Sequence, residues 1–161
     1  MRKTLAMRLL EGKGVPYEAF AYPTGERDAV VVARHLDVPA AHVFKTLVVV
    51  RDDRKPLLAM VPADRQLDLK KVARALGEKK VKLASHAEAE EMTRLKVGGI
   101  SPLALINRGF DVVLDETAQQ LDALYVSAGE KGINLRVSVS DIVKISGARL
   151  LDIAGDNSAR T

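Results

Sequence analysis

The chain has 161 residues, of which 47% are hydrophobic and 29% charged, and its formal net charge is +4. This balance is typical of a compact, water-soluble domain that is long enough to bury a core without disulfides or a structural metal. The sequence has no cysteine and no tryptophan, which excludes a disulfide framework, an iron–sulfur centre and a cysteine nucleophile, and argues against an aromatic platform for single strands.

The amino terminus begins like a signal peptide, but charged residues interrupt it. Arg8, Glu11 and Lys13 end the apolar run well before a signal-peptide core is complete. No stretch approaches the roughly 20 apolar residues that are needed to cross a bilayer. The sequence therefore predicts a cytoplasmic protein that does not use a membrane.

The first third of the chain predicts two helices and a β-hairpin. Apolar spacing and turn residues predict, in order, a helix over 4–12, a strand over 17–22, a turn at 23–25 and a helix over 28–36. Apolar, β-branched runs at 43–50 and 57–61 then flank the polar segment 51–55, which indicates a hairpin with a longer loop.

The remaining residues alternate between short helices and strands. Asp68 is a plausible cap for a helix that carries Leu69, Val72, Ala73 and Leu76 and ends at Gly77. The following elements are a strand over 81–83, a helix over 86–95, a loop at 97–102, strands over 111–114, 124–126 and 133–137, a helix over 140–145 and a last strand near 150–153.

Hairpin-like pairs mixed with helices favour an α+β fold over regular parallel winding. We expect a compact mixed β-sheet or pseudo-barrel flanked by helices. The pattern predicts a single domain over residues 1–155 and a frayed tail over 156–161.

Lys45 is the most informative polar residue, because it lies inside an apolar strand pattern after Phe44. Strand alternation places Lys45 on the opposite face from Phe44, together with Leu47 and Val49. That face is either solvated or the wall of an apolar pocket. A pocket is favoured if it also receives an anionic group, such as a phosphate or a developing oxyanion.

Two glycine-containing segments could bring backbone N–H groups close to a ligand. The first runs over 98–102 and joins two glycines to Ser101 and Pro102, and the second runs over 127–132 after an apolar strand. The second lacks the spacing of a phosphate-binding Walker loop. Each segment is equally interpretable as a structural turn.

The positive charge is concentrated in residues 65–82, where seven basic and two acidic residues give +5. On the helix of this segment Lys70, Lys71 and Arg74 lie away from the apolar face. They form either a solvated face or a surface that contacts RNA phosphates without reading bases.

Other catalytic arrangements have little support in the sequence. The three histidines, His35, His42 and His86, lack the spacing of metal ligands, so we expect no metal and no cofactor. Ser101 and Ser127 have no evident histidine and carboxylate companions for a serine triad.

Four motifs together resemble those of the YbaK family of aminoacyl-tRNA deacylases, which are related to the editing domain inserted in bacterial prolyl-tRNA synthetases. They occur in the family's order over nearly the whole chain, at residues 43–48, 66–73, 97–103 and 125–132. The resemblance implies a trans-editing domain that removes a wrong amino acid, most often cysteine, from tRNA(Pro). Prolyl-tRNA synthetase is an expected partner, whereas DNA is not.

The resemblance also implies roles for individual residues. Lys45 matches the family's functional lysine, which holds the terminal adenosine's phosphate or polarises the ester region. Gly98 and Gly99 match the loop that cradles the aminoacyl carbonyl and the terminal ribose. The other residues expected to contact the substrate are Tyr22, Ile100, Ser101, Pro102, Ser127, Gly129 and Asn134. In cysteine-specific members the substrate's own thiol attacks its ester, so the enzyme needs no nucleophile.

Two positions depart from the family pattern. Asn134 stands where cysteine-specific members carry an aspartate, and Ala104 stands where a glycine is usual. The neutral Asn134 leaves alanine or another small amino acid open as the substrate. A noncatalytic module that docks on tRNA or on a synthetase is the alternative from another class.

Overall fold

The structure, a computed structural model, describes residues 2–52 and 54–156. Its α-helices are α1 (Leu5–Gly12), α2 (Ala29–Leu36), α3 (Leu69–Leu76), α4 (His86–Thr93) and α5 (Val139–Ser146). Its strands are β1 (Glu18–Ala21), β2 (Phe44–Arg51), β3 (Arg54–Pro62), β4 (Gln66–Leu67), β5 (Val81–Leu83), β6 (Asp111–Asp115), β7 (Ala123–Ser127), β8 (Ile133–Ser138), β9 (Arg149–Leu151) and β10 (Ala154–Gly155).

Each of these helices begins at a polar side chain that accepts a backbone N–H of the first turn. Thr4 and Ser85 form capping boxes at α1 and α4, and Asp68 accepts the backbone N–H groups of Lys70 and Lys71 at α3. Such caps satisfy donors that have no partner inside the helix. The predicted cap at Asp68 is therefore confirmed, as is the end of α3 at Gly77, which is left-handed.

The larger sheet is mixed and has the strand order β5-β2-β3-β6-β9. Strand β2 is antiparallel to both β3 and β5, whereas β6 is parallel to both β3 and β9. A second, antiparallel sheet has the order β1-β8-β7, and β10 pairs with β4. The predicted fold class, helices with a mixed sheet, is confirmed.

The two faces of the larger sheet are both covered. Phe44 and Val48 of β2 point into a core shared with Leu124 and Leu135 of the three-stranded sheet. Residues of the other face, including Val49, pack beneath α3. A bridge between Val43 and Tyr125 joins the two sheets at the start of β2, which is where the candidate site lies.

Three local predictions need correction. The hairpin strands extend further than the sequence indicated, because β2 runs to Arg51, β3 begins at Arg54, and these two residues pair. The predicted last strand ends at Leu151, and a separate β10 follows Ile153. Helix α4 stops at Thr93 because Arg94 adopts a left-handed conformation. Of the predicted frayed tail, residues 157–161 lie outside the described part.

Asp115 fastens the carboxy-terminal segment to the larger sheet. It is 1% exposed, and its Oδ1 accepts the backbone N–H groups of Ile153 and Ala154 at 3.0 and 2.9 Å. Its Oδ2 accepts both the N–H and the hydroxyl of Thr117. A buried carboxylate with four donors is well compensated for its loss of hydration. In the described ranges no helix is both long and apolar enough to cross a membrane.

Candidate active site

A cavity of about 300 Å³ opens beside the start of β2. Its walls come from the segment 22–32, from β2, from the segment between β5 and α4, from the loop at 97–100, and from β7 and β8. Six predicted site residues from distant parts of the sequence line this cavity: Tyr22, Lys45, Gly98, Ile100, Ser127 and Asn134.

The cavity exists because β2 has one open edge. Strand β5 pairs with β2 only over Val49–Arg51, and Ala84 N–H donates to the Val48 carbonyl at 2.9 Å. Among the described residues, 44–47 therefore pair with β3 on one side and with no strand on the other. All four of them line the cavity.

Lys45 lies half-buried in this cavity rather than on a solvated face. Burial lowers the pKa of its ammonium, and the carboxylates of Asp28 and Asp64 oppose that shift. Within residues 2–52 and 54–156, Lys45 makes no side-chain hydrogen bond or ion pair. An ammonium in this setting is available to an oxygen of a ligand. Of the two sequence-level alternatives, the structure selects the pocket.

Asn134 and Tyr22 form a polar wall of the cavity. Asn134 sits on β8 between Phe20 of β1 and Ser127 of β7, and it is 4% exposed. Burial raises the pKa of the Tyr22 hydroxyl, while interactions with the backbone of Gly132 and the side chain of Asn134 counteract this rise.

Unpartnered polar atoms surround the same space. In the described part of the chain, Asn134 Oδ1, Thr46 Oγ1 and Asp64 Oδ1 are buried without a hydrogen-bond partner. Asn134 and Thr46 line the cavity, and Asp64 follows the cavity-lining Ala63. Buried polar atoms are nearly always paired, so these atoms are suited to bind polar groups of a ligand.

The two glycine-containing segments pack against each other. Gly98 lines the cavity with a φ of +94°, which favours glycine. A Cβ at Gly99 would lie 3.1 Å from the backbone of Glu130 and Lys131. Gly99 is buried at this contact and does not line the cavity. In this structure Gly99 supports the loop, and its direct contact with the substrate stays a prediction.

Gly129 supports the same wall from the other side. It has a φ of +89°, and a Cβ there would lie 2.7 Å from the Ala104 Cβ. Ser127 does line the cavity, and its Oγ accepts the Gly129 N–H at 3.2 Å. Gly129 is thus placed behind the cavity wall, and its contact with the substrate stays a prediction.

Ser101 and Pro102 are also placed behind the wall. Both are buried, neither lines the cavity, and Ser101 Oγ accepts the Leu103 N–H at 3.2 Å at the start of a short 3-10 helix. The hydroxyl serves as a helix cap. Ile100 lines the cavity, whereas the contact of Ser101 and Pro102 with the substrate stays a prediction.

The basic face of α3 lies outside the cavity. Lys70 and Arg74 are exposed. Lys71 is not free for RNA, because its Nζ donates to Asp152 Oδ1 at 3.0 Å and to the Ala154 carbonyl at 2.8 Å. Contact of α3 with RNA stays a prediction, with Lys70 and Arg74 as its exposed cations.

Several cavity residues were not found from the sequence. Thr46 and His86 line the cavity, and Asp28 and Asp64 act on Lys45 from either side. The sequence did not identify Asp64 as a candidate site residue, since it lies in a short polar turn. Asp28 was visible only as the cap of α2, where its Oδ1 accepts the Val30 N–H.

Comparison with known proteins gives a consistent result. The family model described as "Aminoacyl-tRNA editing domain" matches residues 24–145. The chain is 36% identical over 154 residues to an Enterococcus faecalis protein named "Putative Cys-tRNA(Pro)/Cys-tRNA(Cys) deacylase EbsC", with 94% of this chain and 93% of that protein covered.

A shorter match links the chain to a synthetase. It is 30% identical over 99 residues to a proline–tRNA ligase of Lactobacillus helveticus, which is 62% of this chain and 17% of the ligase. The fold also matches a structure described as "a putative trans-editing enzyme for prolyl tRNA synthetase", with a TM-score of 0.83, 23% identity, and 96% and 99% of the two chains covered.

The fold and the cavity define a domain that edits aminoacyl-tRNA. The chain belongs to the aminoacyl-tRNA editing domain family, which acts on mischarged tRNA and is related to a domain of prolyl-tRNA synthetases. The family resemblance and the enzyme class, aminoacyl-tRNA deacylase, are thereby confirmed.

Proposed function

We propose that this protein acts in trans in the cytoplasm, where tRNA is charged, to remove a mischarged amino acid from tRNA(Pro), with cysteine as the first candidate. The observation that carries the proposal is Lys45, a half-buried ammonium in the cavity without a side-chain partner among the described residues. The name of the Enterococcus faecalis relative supports cysteine and tRNA(Pro).

The size of the cavity suits a small aminoacyl ester. Pockets for small ligands usually have volumes of about 300–1,000 Å³. The volume of about 300 Å³ is at the lower end of this range. It accommodates a small side chain with its ester and excludes most of the tRNA, which must stay outside the mouth.

The chemistry requires positioning more than a protein nucleophile. The thiol sulfur of a cysteinyl ester forms a bond to its own carbonyl carbon, the bond from that carbon to the ribose oxygen breaks, and the thiol proton ends on the ribose oxygen. The products are a thiolactone and free tRNA. Holding both groups in one geometry supplies up to about 7 to 11 kcal/mol of the barrier.

Two residues have distinct tasks in this reaction. Lys45 donates to the ester region, where negative charge develops. Asn134 Oδ1, buried without a partner in the described structure, accepts from the substrate's amino group. Because Asn134 is neutral, it orients this group by a hydrogen bond and not by an ion pair.

Alanine is the second candidate for the amino acid. An alanyl ester has no thiol, so its cleavage would need a water molecule at the position of the sulfur. The neutral polar wall formed by Tyr22 and Asn134 is compatible with either ester.

The experiment is a panel of tRNA(Pro) molecules charged with cysteine, alanine, serine or proline, assayed for release of each amino acid with and without prolyl-tRNA synthetase. The Lys45→Ala variant is the test, and Lys144→Ala on α5, an exposed lysine outside the cavity, is its matched control. We expect selective hydrolysis of one or two small esters, lost in Lys45→Ala only. Binding of tRNA without any hydrolysis would instead support a noncatalytic module.

A further inference from the structure

Three cations converge on the mouth of the cavity from separate parts of the chain. A Cβ built at Gly98 would lie 3.8 Å from both the Arg27 Cγ and the Lys131 Cγ, so the stems of these side chains flank the glycine. Lys96, two residues before Gly98, lies 3.9 Å from Glu90 through its Nζ. Gly98 itself lines the cavity, as does Arg27.

The acidic groups nearby are largely occupied. Glu90 Oε2 accepts the Val97 N–H at 2.8 Å. That hydrogen bond lowers the pKa of Glu90, and the charges of Lys96, Lys131 and Arg27 lower it further. Glu90 therefore lies within electrostatic range of three cations.

Two further carboxylates border the mouth and are also engaged. Glu130 is paired with Arg2 at 2.8 Å, and Glu26 Oε2 accepts the Asp28 N–H at 3.1 Å. In the described ranges, Arg27 and Lys131 have neither an ion-pair partner nor a side-chain hydrogen bond. Their charges are free to meet an anion from outside.

We infer that Arg27 and Lys131 form a binding site for phosphodiester groups of RNA at the cavity mouth, on either side of Gly98. The inference rests on the proposed function. If the ester of the terminal ribose lies inside the cavity, the RNA backbone must pass through this mouth, and the phosphates of the last nucleotides lie close to it. Arginine and lysine contacts to phosphates position a nucleic acid without reading its bases.

This site replaces the face of α3 as the main electrostatic contact with RNA. Lys71 is held by Asp152 and Ala154, and Lys70 and Arg74 are outside the cavity. The mouth needs only two free cations, because the ester already fixes the end of the RNA inside the cavity.

The test compares a substrate that has phosphates with one that lacks them. The kcat/KM values are measured for cysteinyl-tRNA(Pro) and for cysteinyl-adenosine, using the wild type, the double variant Arg27→Gln with Lys131→Gln, and the control Lys144→Gln with Arg149→Gln, which removes two exposed cations outside the cavity. The preferred ester from the hydrolysis panel replaces cysteine if it is a different one. Thermal unfolding verifies that each variant is folded.

We expect the ratio of kcat/KM for tRNA over adenosine ester to fall about tenfold for each mouth cation removed. The slope of log kcat/KM against log salt concentration should weaken by about 0.7 for each lost phosphate contact. Neither quantity should change in the control that lacks Lys144 and Arg149. An unchanged ratio and slope in the mouth variant, or a fall in the control instead, would overturn the inference.

A failure of the proposed function can be recognised separately. If the wild type hydrolyses none of the esters, that function is wrong, and the mouth is tested by fluorescence anisotropy with an uncharged RNA ending in CCA. Weaker binding in the mouth variant, with loss of salt dependence, still supports the phosphate site. Equal binding in the wild type and the mouth variant refutes it.

Discussion

Replacing Lys45 with methionine should separate catalysis from stability. Methionine keeps an unbranched apolar stem in the cavity and removes the charge. Loss of an oriented charged donor costs about 3 kcal/mol of transition-state stabilisation, or roughly 100-fold in rate. The fold should tolerate the change, because the ammonium is half-buried and, within the described part, has no side-chain partner that would be left unsatisfied.

The pH dependence of stability provides an internal check. Burial holds the pKa of Lys45 below its ordinary value of 10.5 in the folded protein. The unfolded chain therefore binds more protons than the folded one between these two pKa values, and the stability of the wild type rises with pH across that window. Lys45→Met lacks this titration. The free energy of unfolding of Lys45→Met, measured relative to that of the wild type, should therefore fall as the pH rises toward 10.5.

The assay pairs single-turnover hydrolysis of cysteinyl-tRNA(Pro) with urea unfolding at two pH values. Lys144→Met, on the exposed side of α5, is the control for loss of one lysine. A rate for Lys45→Met within threefold of the wild type would refute the catalytic role. A large loss of stability at neutral pH would refute the view that the ammonium has no partner.

Three other changes test the walls and the anchor of the site. Asn134→Ala should reduce kcat/KM about fivefold, because one neutral hydrogen bond to the substrate is lost; equal rates would exclude Oδ1 as an acceptor. Gly129→Ala should lower the free energy of unfolding by about 1–3 kcal/mol, since its φ is +89° and its Cβ would lie 2.7 Å from that of Ala104; unchanged urea unfolding would contradict this contact. Asp115→Ala should cost at least about 2 kcal/mol by leaving buried N–H groups without acceptors, which calorimetry would measure; an unchanged melting temperature would show that the carboxy-terminal segment is held by other contacts.

The fold was largely predictable because local signals agreed with the final packing. Helix α3 illustrates this agreement: Asp68 caps it, Gly77 ends it, and Val72 is buried as the spacing requires. For Lys45 the sequence left two alternatives, a solvated face and a pocket, and could not decide between them. The decision depends on how far β5 pairs along β2. The pairing covers only Val49–Arg51 and does not reach back to Lys45, and strand periodicity contains no information about that register.

Residues behind the cavity wall were harder to distinguish from residues on it. Gly99 and Ser101 belong to the same motif as Gly98 and Ile100, yet they face the turn at 127–132 or cap a short helix. A motif identifies a segment but not the side on which the ligand lies. The partner of Lys71 was equally hidden from the sequence, because Asp152 is 81 positions away.

The close packing of Gly99 on Glu130, and of Gly129 on Ala104, has an evolutionary consequence. Positions on these two segments cannot acquire larger side chains one at a time, so this half of the cavity resists stepwise change. The segment 22–32 is constrained in the same way only at its start, where a Cβ at Gly132 would lie 3.1 Å from the Tyr22 carbonyl oxygen. Glu26 and Val32 line the cavity without a glycine contact of this kind. New amino-acid preferences should therefore arise by substitutions at these two positions, with the ester-binding half kept constant.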